Sequence, residues 1–175
     1  MRKIVFSQKS LKKMYKTLDE EHETGGKLDW GEDKNGIITI KDLDIHDENE
    51  GKVGLMIWWF DDFIFHSHPY FETQGEMGWP SGMDFLASMK HPNTIMVTAS
   101  CEGIYVFKCN VKDIPHDAKM NITRDIAGLE KDRDSSGNKK FMKVIKSIKL
   151  SSPKKCIFDI WFMKWGEKEI DLSST

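Results

Sequence analysis

Cysteine and proline are scarce in this chain, and long hydrophobic runs are absent. Only three of the 175 residues are cysteine and five are proline. An odd number of cysteines without a CxxC pair argues against a disulfide framework and against a cysteine-based zinc site. The longest apolar stretch, residues 53–60, is too short to cross a bilayer, so we expect no membrane anchor. Reduced thiols and an N-terminus without a signal-peptide pattern predict an intracellular, cytoplasmic protein.

The chain also has no excess of charge of one sign. Its formal net charge is -2, so bulk electrostatics give no strong signal for a nucleic-acid partner. Hydrophobic residues make up 39% and charged residues 31%, a composition typical of a globular domain with a buried core. A chain of this length fits one domain over residues 1–175.

Hydrophobic spacing predicts helices and strands without a regular repeat. The apolar residues of 11–18 follow helical spacing, with Ser7 or Ser10 as the N-cap and Gly25 with Gly26 as the end. Further helices are predicted at 81–90, 120–129 and 141–148, and strands at 28–30, 36–40, 53–60, 63–65, 94–99, 104–107 and 156–163. This mixture favours an α+β or three-layer fold around a mixed sheet.

The most informative motif is a pair of histidines, His66 and His68, at the end of a predicted strand. Residues two apart in a strand point to the same side, so both imidazoles can reach one metal ion. Pro69 favours extended geometry at His68 and stops the strand there. Two imidazoles and a carboxylate can hold zinc and leave a fourth position for water. The alternative is a pair of surface histidines without a ligand.

Two acidic residues are candidates to complete this site. Ser81 and Asp84 form an SxxD segment, which is also the pattern of a capping box at the start of a helix. The cap and a metal-binding role for Asp84 are compatible, because a helix N-terminus holds a carboxylate firmly. Glu23 lies in a charged stretch with Glu20 and Glu21, which by itself is typical of a solvated surface.

Together, these segments resemble the signature of the JAMM/MPN metalloprotease family, whose domains are also called JAB domains. The family has a glutamate in an ETGG-like or ExxGxL segment, then HSHP or HTHP, and then SxxD. Here ETGGKL (23–28), HSHP (66–69) and SGMD (81–84) occur in that order. The flanking predicted elements agree with the family, and the resemblance covers about residues 3–109.

The resemblance implies a three-layer, α/β/α-like α+β fold, with a mixed, mostly antiparallel sheet flanked by helices. It implies that His66, His68 and Asp84 bind Zn²⁺. Glu23 would be the general base that takes a proton from the attacking water and passes it to the leaving amine. Ser81 would help to stabilise the oxyanion. The substrate would be a protein or peptide, including the C-terminus of a ubiquitin-like or sulfur-carrier protein, cleaved at an isopeptide or peptide bond.

One departure from the family concerns the segment between His68 and Ser81. Twelve residues separate them, which is longer than the family spacing. We expect residues 70–79 to form a longer loop that governs substrate access rather than metal binding, with Trp79 lining a channel or capping the site. A passive surface loop is the alternative, because loops tolerate insertions at little entropic cost.

Two other functions remain open from the sequence. One is a non-catalytic MPN-type interaction module, although such modules usually lose a ligand. The other is a RadC-like protein in DNA metabolism, although no DNA-binding helical module is attached. The lysines that flank the helical stripe near the C-terminus are typical of a solvated face, with an acidic partner or nucleic acid as the less favoured interpretation. They are Lys139, Lys140, Lys143, Lys146 and Lys149.

Overall fold

One sheet of eight strands organises the described part of the chain. The computed structural model describes residues 3–46, 62–69, 78–92, 94–131, 137–150 and 156–173. The strands are β1 (Lys3–Phe6), β2 (Gly25–Glu32), β3 (Ile37–His46), β4 (Phe63–Ser67), β5 (Ile95–Ser100), β6 (Gly103–Cys109), β7 (Phe158–Lys164) and β8 (Glu169–Asp171). The four described helices are α1 (Gln8–Lys16), α2 (Gly82–Lys90), α3 (His116–Lys131) and α4 (Gly137–Ser147).

The strand order is β7-β6-β5-β4-β2-β3-β1-β8. Only the β1–β3 and β4–β5 pairs are parallel, so the sheet is mixed and mostly antiparallel. Between the parallel strands β4 and β5, the chain crosses over through α2. This βαβ unit places the N-terminus of α2 at the same end of the sheet as the C-terminal end of β4.

Two apolar cores cover opposite faces of the sheet, because side chains alternate along each strand. On β4, Phe63 and Phe65 belong to the first core and Ile64 to the second. Helix α1 contributes Met14 to the first core. Residues of α2, α3 and α4 fill the second core: Phe85, Leu86, Met89, Ile126, Phe141 and Ile145. The structure therefore confirms a mixed helix-and-sheet fold with helices on both faces.

The first helix begins as predicted but ends much earlier. The side chain of Ser7 accepts a hydrogen bond from the Ser10 backbone N–H at 3.0 Å, so Ser7 is the N-cap. The helix ends at Lys16 and a short 3₁₀ helix follows. The prediction that Gly25 and Gly26 end the helix is wrong, because both belong to β2. A Cβ at Gly26 would lie 2.5 Å from the Asp44 carbonyl oxygen, so glycine serves close strand pairing there.

Most other predicted elements are present, with different ends. The predicted helix at 81–90 is α2, and the predicted hairpin at 94–107 is formed by β5 and β6. The helix predicted within 120–129 is longer, over His116–Lys131. The strand predicted at 156–163 is β7, but it is not the last one, because β8 follows and pairs with β1. The strand predicted at 53–60 lies outside the described residues. Among the described helices, none is long and apolar enough to cross a membrane.

The contact between α2 and α3 generates a stability prediction. A Cβ at Gly82 would lie 2.6 Å from the Thr123 carbonyl oxygen, which is backbone and cannot rotate away. We expect Gly82→Ala to lower the free energy of unfolding by about 1–3 kcal/mol, as overpacking does. Gly128 on α3 is the matched control, since its Cβ would meet open space. Gly128→Ala should raise stability by about 0.4–1 kcal/mol. Urea denaturation measures both, and equal stability of the two variants would contradict the close contact.

Candidate metal centre

The two histidines lie where β4 ends, on the sheet face that α2, α3 and α4 cover. His66 is the fourth residue of β4 and alternates with Phe65, so its ring faces the second core. The backbone N–H of His68 donates to the Ala99 carbonyl at 2.8 Å, which continues the pairing with β5 beyond Ser67. Both rings therefore point to one side, as predicted, with Nε2 atoms 3.2 Å apart. His66 is fully buried and His68 is 7% exposed.

Asp84 reaches the histidines from the first turn of α2. Its Oδ2 accepts the Ser81 backbone N–H at 2.6 Å, while Ser81 Oγ accepts the Asp84 backbone N–H at 3.3 Å. This capping box confirms the predicted cap. The same carboxylate lies 3.2 Å from His66 Nε2 through Oδ1 and 3.4 Å from His68 Nε2 through Oδ2. The cap thus fixes the carboxylate against both imidazoles.

Glu23 is brought to the site by the antiparallel pairing of β2 with β4. Gly25 is the register partner of His66, and the chain continues in this arrangement toward Glu23. Ser67 donates its backbone N–H to the Thr24 carbonyl at 2.9 Å, and Ser67 Oγ accepts the Thr24 N–H at 3.0 Å. Glu23 Oε1 lies 3.5 Å from His68 Nε2, and the Glu23 side chain is 35% exposed. The glutamate is therefore beside the cluster and open to solvent.

The spacing of the donor atoms suits a small metal ion. One donor atom each from His66, His68 and Asp84 can be chosen so that all lie within 4.8 Å of one another. Donors that bind a tetrahedral ion such as zinc at about 2.0–2.1 Å lie about 3.3 Å apart. The two Nε2 atoms lie 3.2 Å apart, and they lie 3.2 and 3.4 Å from different oxygens of Asp84. These residues could hold a metal ion through two imidazole nitrogens and one carboxylate oxygen.

The charges of the cluster also suit a cation. Burial raises the pKa of Asp84, but the charge and hydrogen bond of His66, together with His68, hold it well below its usual value. Burial lowers the pKa of His68, yet the hydrogen bond and charge of Asp84, with the charge of Glu23, raise it overall. Asp84 is thus an ionised carboxylate in a buried position. A buried anion needs a positive partner, either a proton on an imidazole or a metal ion.

A backbone carbonyl and a threonine hydroxyl contact the two imidazoles and orient them. The Gly78 carbonyl lies 3.1 Å from His68 Nδ1. Because a carbonyl only accepts, Nδ1 carries the hydrogen and directs the Nε2 lone pair of a neutral His68 toward the cluster. Thr98, the register partner of His66 on β5, places its hydroxyl 3.2 Å from His66 Nε2. His66 Nδ1 is buried and has no hydrogen-bond partner within the described part of the chain.

The sequence did not predict a role for Thr98, and it predicted that Trp79 lines a channel or caps the site. Thr98 is fully buried in β5, where it follows three apolar residues, and this is the only sequence signal for it. Trp79 is 3% exposed and stacks on Phe141 at 4.7 Å between ring centroids, so it belongs to the second core. Residues 70–77 of the longer loop lie outside the described residues. The structure brings Glu23, His66, His68 and Asp84 together, with Ser81 joined to Asp84.

No protein-family model matches the chain, and no curated protein matches it. The interpretation of the site therefore depends on its own residues and their arrangement.

The geometry predicts one bound divalent metal ion per chain. His66→Ala removes a nitrogen donor, and Asp84→Asn removes the charge while its amide oxygen can still accept the Ser81 N–H. Both variants should lose the metal, whereas His116→Ala, at an exposed histidine outside the cluster, should keep it. Elemental analysis after dialysis against zinc gives the stoichiometry. Metal at about 100 times its Kd should also stabilise the wild-type fold by about 2.7 kcal/mol. Unchanged metal content in the two cluster variants would contradict the site.

Proposed function

We propose that this chain is a zinc-dependent hydrolase of the JAMM/MPN type, which cleaves an isopeptide or peptide bond. The observation that carries the proposal is Glu23, a second carboxylate that stands beside the buried His66, His68 and Asp84 cluster without belonging to it. A structural metal site would use four protein ligands and would not need a solvent-exposed glutamate at its edge. The motif order and the helix-flanked, mostly antiparallel sheet, which is compatible with a JAB domain, support the proposal.

His66, His68 and Asp84 are the residues that would hold the ion. When bound, a zinc ion acts as a Lewis acid and lowers the pKa of water to about 7. The capping box and the Gly78 carbonyl fix the orientation of Asp84 and His68 before any substrate arrives. Preorganised ligands of this kind avoid reorganisation during the reaction.

The proposed role of Glu23 is to move a proton. Its side chain is about one third exposed, so solvent water can reach it at the edge of the cluster. It takes a proton from the attacking water as the carbon–oxygen bond forms. It then gives that proton to the leaving amine as the carbon–nitrogen bond breaks, so protons balance over the cycle. The presence of both this base and a full set of ligands favours catalysis over a non-catalytic interaction module.

The proposed substrate is a protein or peptide, with the C-terminus of a ubiquitin-like or sulfur-carrier protein as the first candidate. The protein would then act inside the cell, on processed or conjugated chains. Zinc-loaded protein incubated with ubiquitin-like fusions, peptides and small amides tests the substrate class directly. Cleavage that disappears with a chelator and returns with zinc supports the proposal. Cleavage that survives complete metal removal would contradict it.

Glu23→Gln separates the chemical role from metal binding. The amide cannot accept the proton, so turnover should fall by about 10² to 10⁴ while zinc content and fold remain. Glu21→Gln is the matched control, because Glu21 is exposed and lies two residues away. It should keep its turnover. Full activity in Glu23→Gln, or an empty metal site in that variant, would show that the role is assigned wrongly.

Ser81→Ala has two separable consequences. Loss of the cap on α2 should cost about 0.5–2 kcal/mol of stability. Loss of an oxyanion donor should also slow turnover by about 10² to 10³. Ser7→Ala removes the N-cap of α1, on the opposite face of the sheet, and should change only the melting temperature. Thermal melts and turnover of both variants separate the two roles of Ser81. Equal turnover in both variants would show that Ser81 acts only as a helix cap.

A further inference from the structure

Helix α4 carries a stripe of lysines on its outer side. Lys139, Lys143 and Lys146 are spaced i, i+4 and i+7, so they line one side of the helix over about 10 Å. The opposite side buries Phe141 and Ile145 in the second core. Lys139 and Lys143 are exposed and Lys146 is half-buried. We call these three lysines the lysine face.

The lysine face has no counter-charge in the described part of the chain. Helix α4 contains no aspartate or glutamate, and the lysine face forms no ion pair among the described residues. Some lysines elsewhere are paired: Lys13, for example, lies 2.8 Å from Asp42. An uncompensated positive stripe is notable because the formal net charge of the whole chain is -2. A surface with this charge pattern favours an anionic molecule.

The buried side of α4, opposite the lysine face, packs close to residues that contact the metal centre. Phe141, between Lys139 and Lys143 in sequence, stacks on Trp79. Trp79 directly follows Gly78, whose carbonyl orients His68. The helix therefore packs against the residues beside His68, while the lysine face lies on its other, outer side.

We propose that the lysine face is a docking surface for an acidic segment of a partner protein. Three ammonium groups over about 10 Å can meet two carboxylates at alternate positions of an extended chain, which lie about 7 Å apart. Nucleic acid is the less suitable occupant, because the stripe has neither arginine nor an exposed aromatic ring for stacking. Exposed lysines are hydrated and screened, so docking is weak and salt-sensitive.

This docking is independent of the proposed hydrolysis. It requires the charge of the lysine face and not a metal ion or Glu23. If the partner is also the substrate, docking raises its local concentration, so removal of the lysine face increases KM and leaves kcat unchanged.

The test is a binding measurement with a short fluorescent peptide of alternating glutamate and serine. The variant is the triple substitution Lys139→Gln, Lys143→Gln and Lys146→Gln, which keeps helix propensity close to that of lysine. Its Kd for the peptide, measured by fluorescence anisotropy at physiological ionic strength, should be about tenfold higher, because several exposed ion contacts are lost. Lys143→Gln alone should show part of the loss, which keeps the test valid if the triple variant is unstable. Glu23→Gln should bind the peptide as the wild type does, which separates a failure of docking from a failure of hydrolysis.

The matched control removes the same charge elsewhere. Lys12→Gln, Lys16→Gln and Lys34→Gln alter exposed lysines on α1 and in the β2–β3 turn, and should change Kd by less than about twofold. An equal loss in both triple variants would overturn the proposal, because it would show only general charge attraction. Absence of peptide binding to the wild type would overturn it too. Tighter binding of single-stranded DNA through the same lysines would replace the protein partner with nucleic acid.

Discussion

The arrangement of the site depends on one buried carboxylate. Asp84 closes the capping box of α2 and lies against both imidazoles at the same time. A single unpaired charge in such a place would cost several kcal/mol, so its partners are obligatory. The N-terminus of α2 adds backbone N–H groups and the positive end of the helix dipole. The side chain of Asp84 therefore connects the start of α2 with the end of β4 and supplies the negative charge between them.

The βαβ unit explains why these groups meet. Because β4 and β5 are parallel, α2 must start where β4 ends. The close approach of α2 to α3 at Gly82 then sets the depth at which Asp84 enters. The pairing of β2 with β4 adds Glu23 from a third direction, through the contact between Thr24 and Ser67. Each residue of the cluster therefore stands on backbone that is fixed by hydrogen bonds.

Local patterns in the sequence were sufficient for part of this site. Alternation placed His66 and His68 on one side, and SxxD placed Asp84 in a capping box, because both patterns act within a few residues. The place of Glu23 depends on pairing between strands about forty residues apart, and only the family resemblance suggested it. Thr98 reaches His66 through the parallel register of β5, which no local pattern encodes.

The pair Gly25 and Gly26 belongs to β2 and does not end a helix, because glycine permits close strand pairing as well as chain reversal. Strand β8 is three residues long and has too little alternation to be predicted.

The buried charge of Asp84 also affects how the cluster would bind a metal ion. Burial lowers the pKa of His68, but Asp84 and Glu23 raise it overall, so the cluster favours a proton on this imidazole. A metal ion would use the same Nε2 lone pair, so it competes with that proton and releases it on binding. A proton or a metal ion would each balance the charge of Asp84, and the Gly78 carbonyl contacts the other nitrogen of His68. The fold can therefore build the cluster before it is loaded, and the cost of ordering the ligands is met during folding rather than during metal binding.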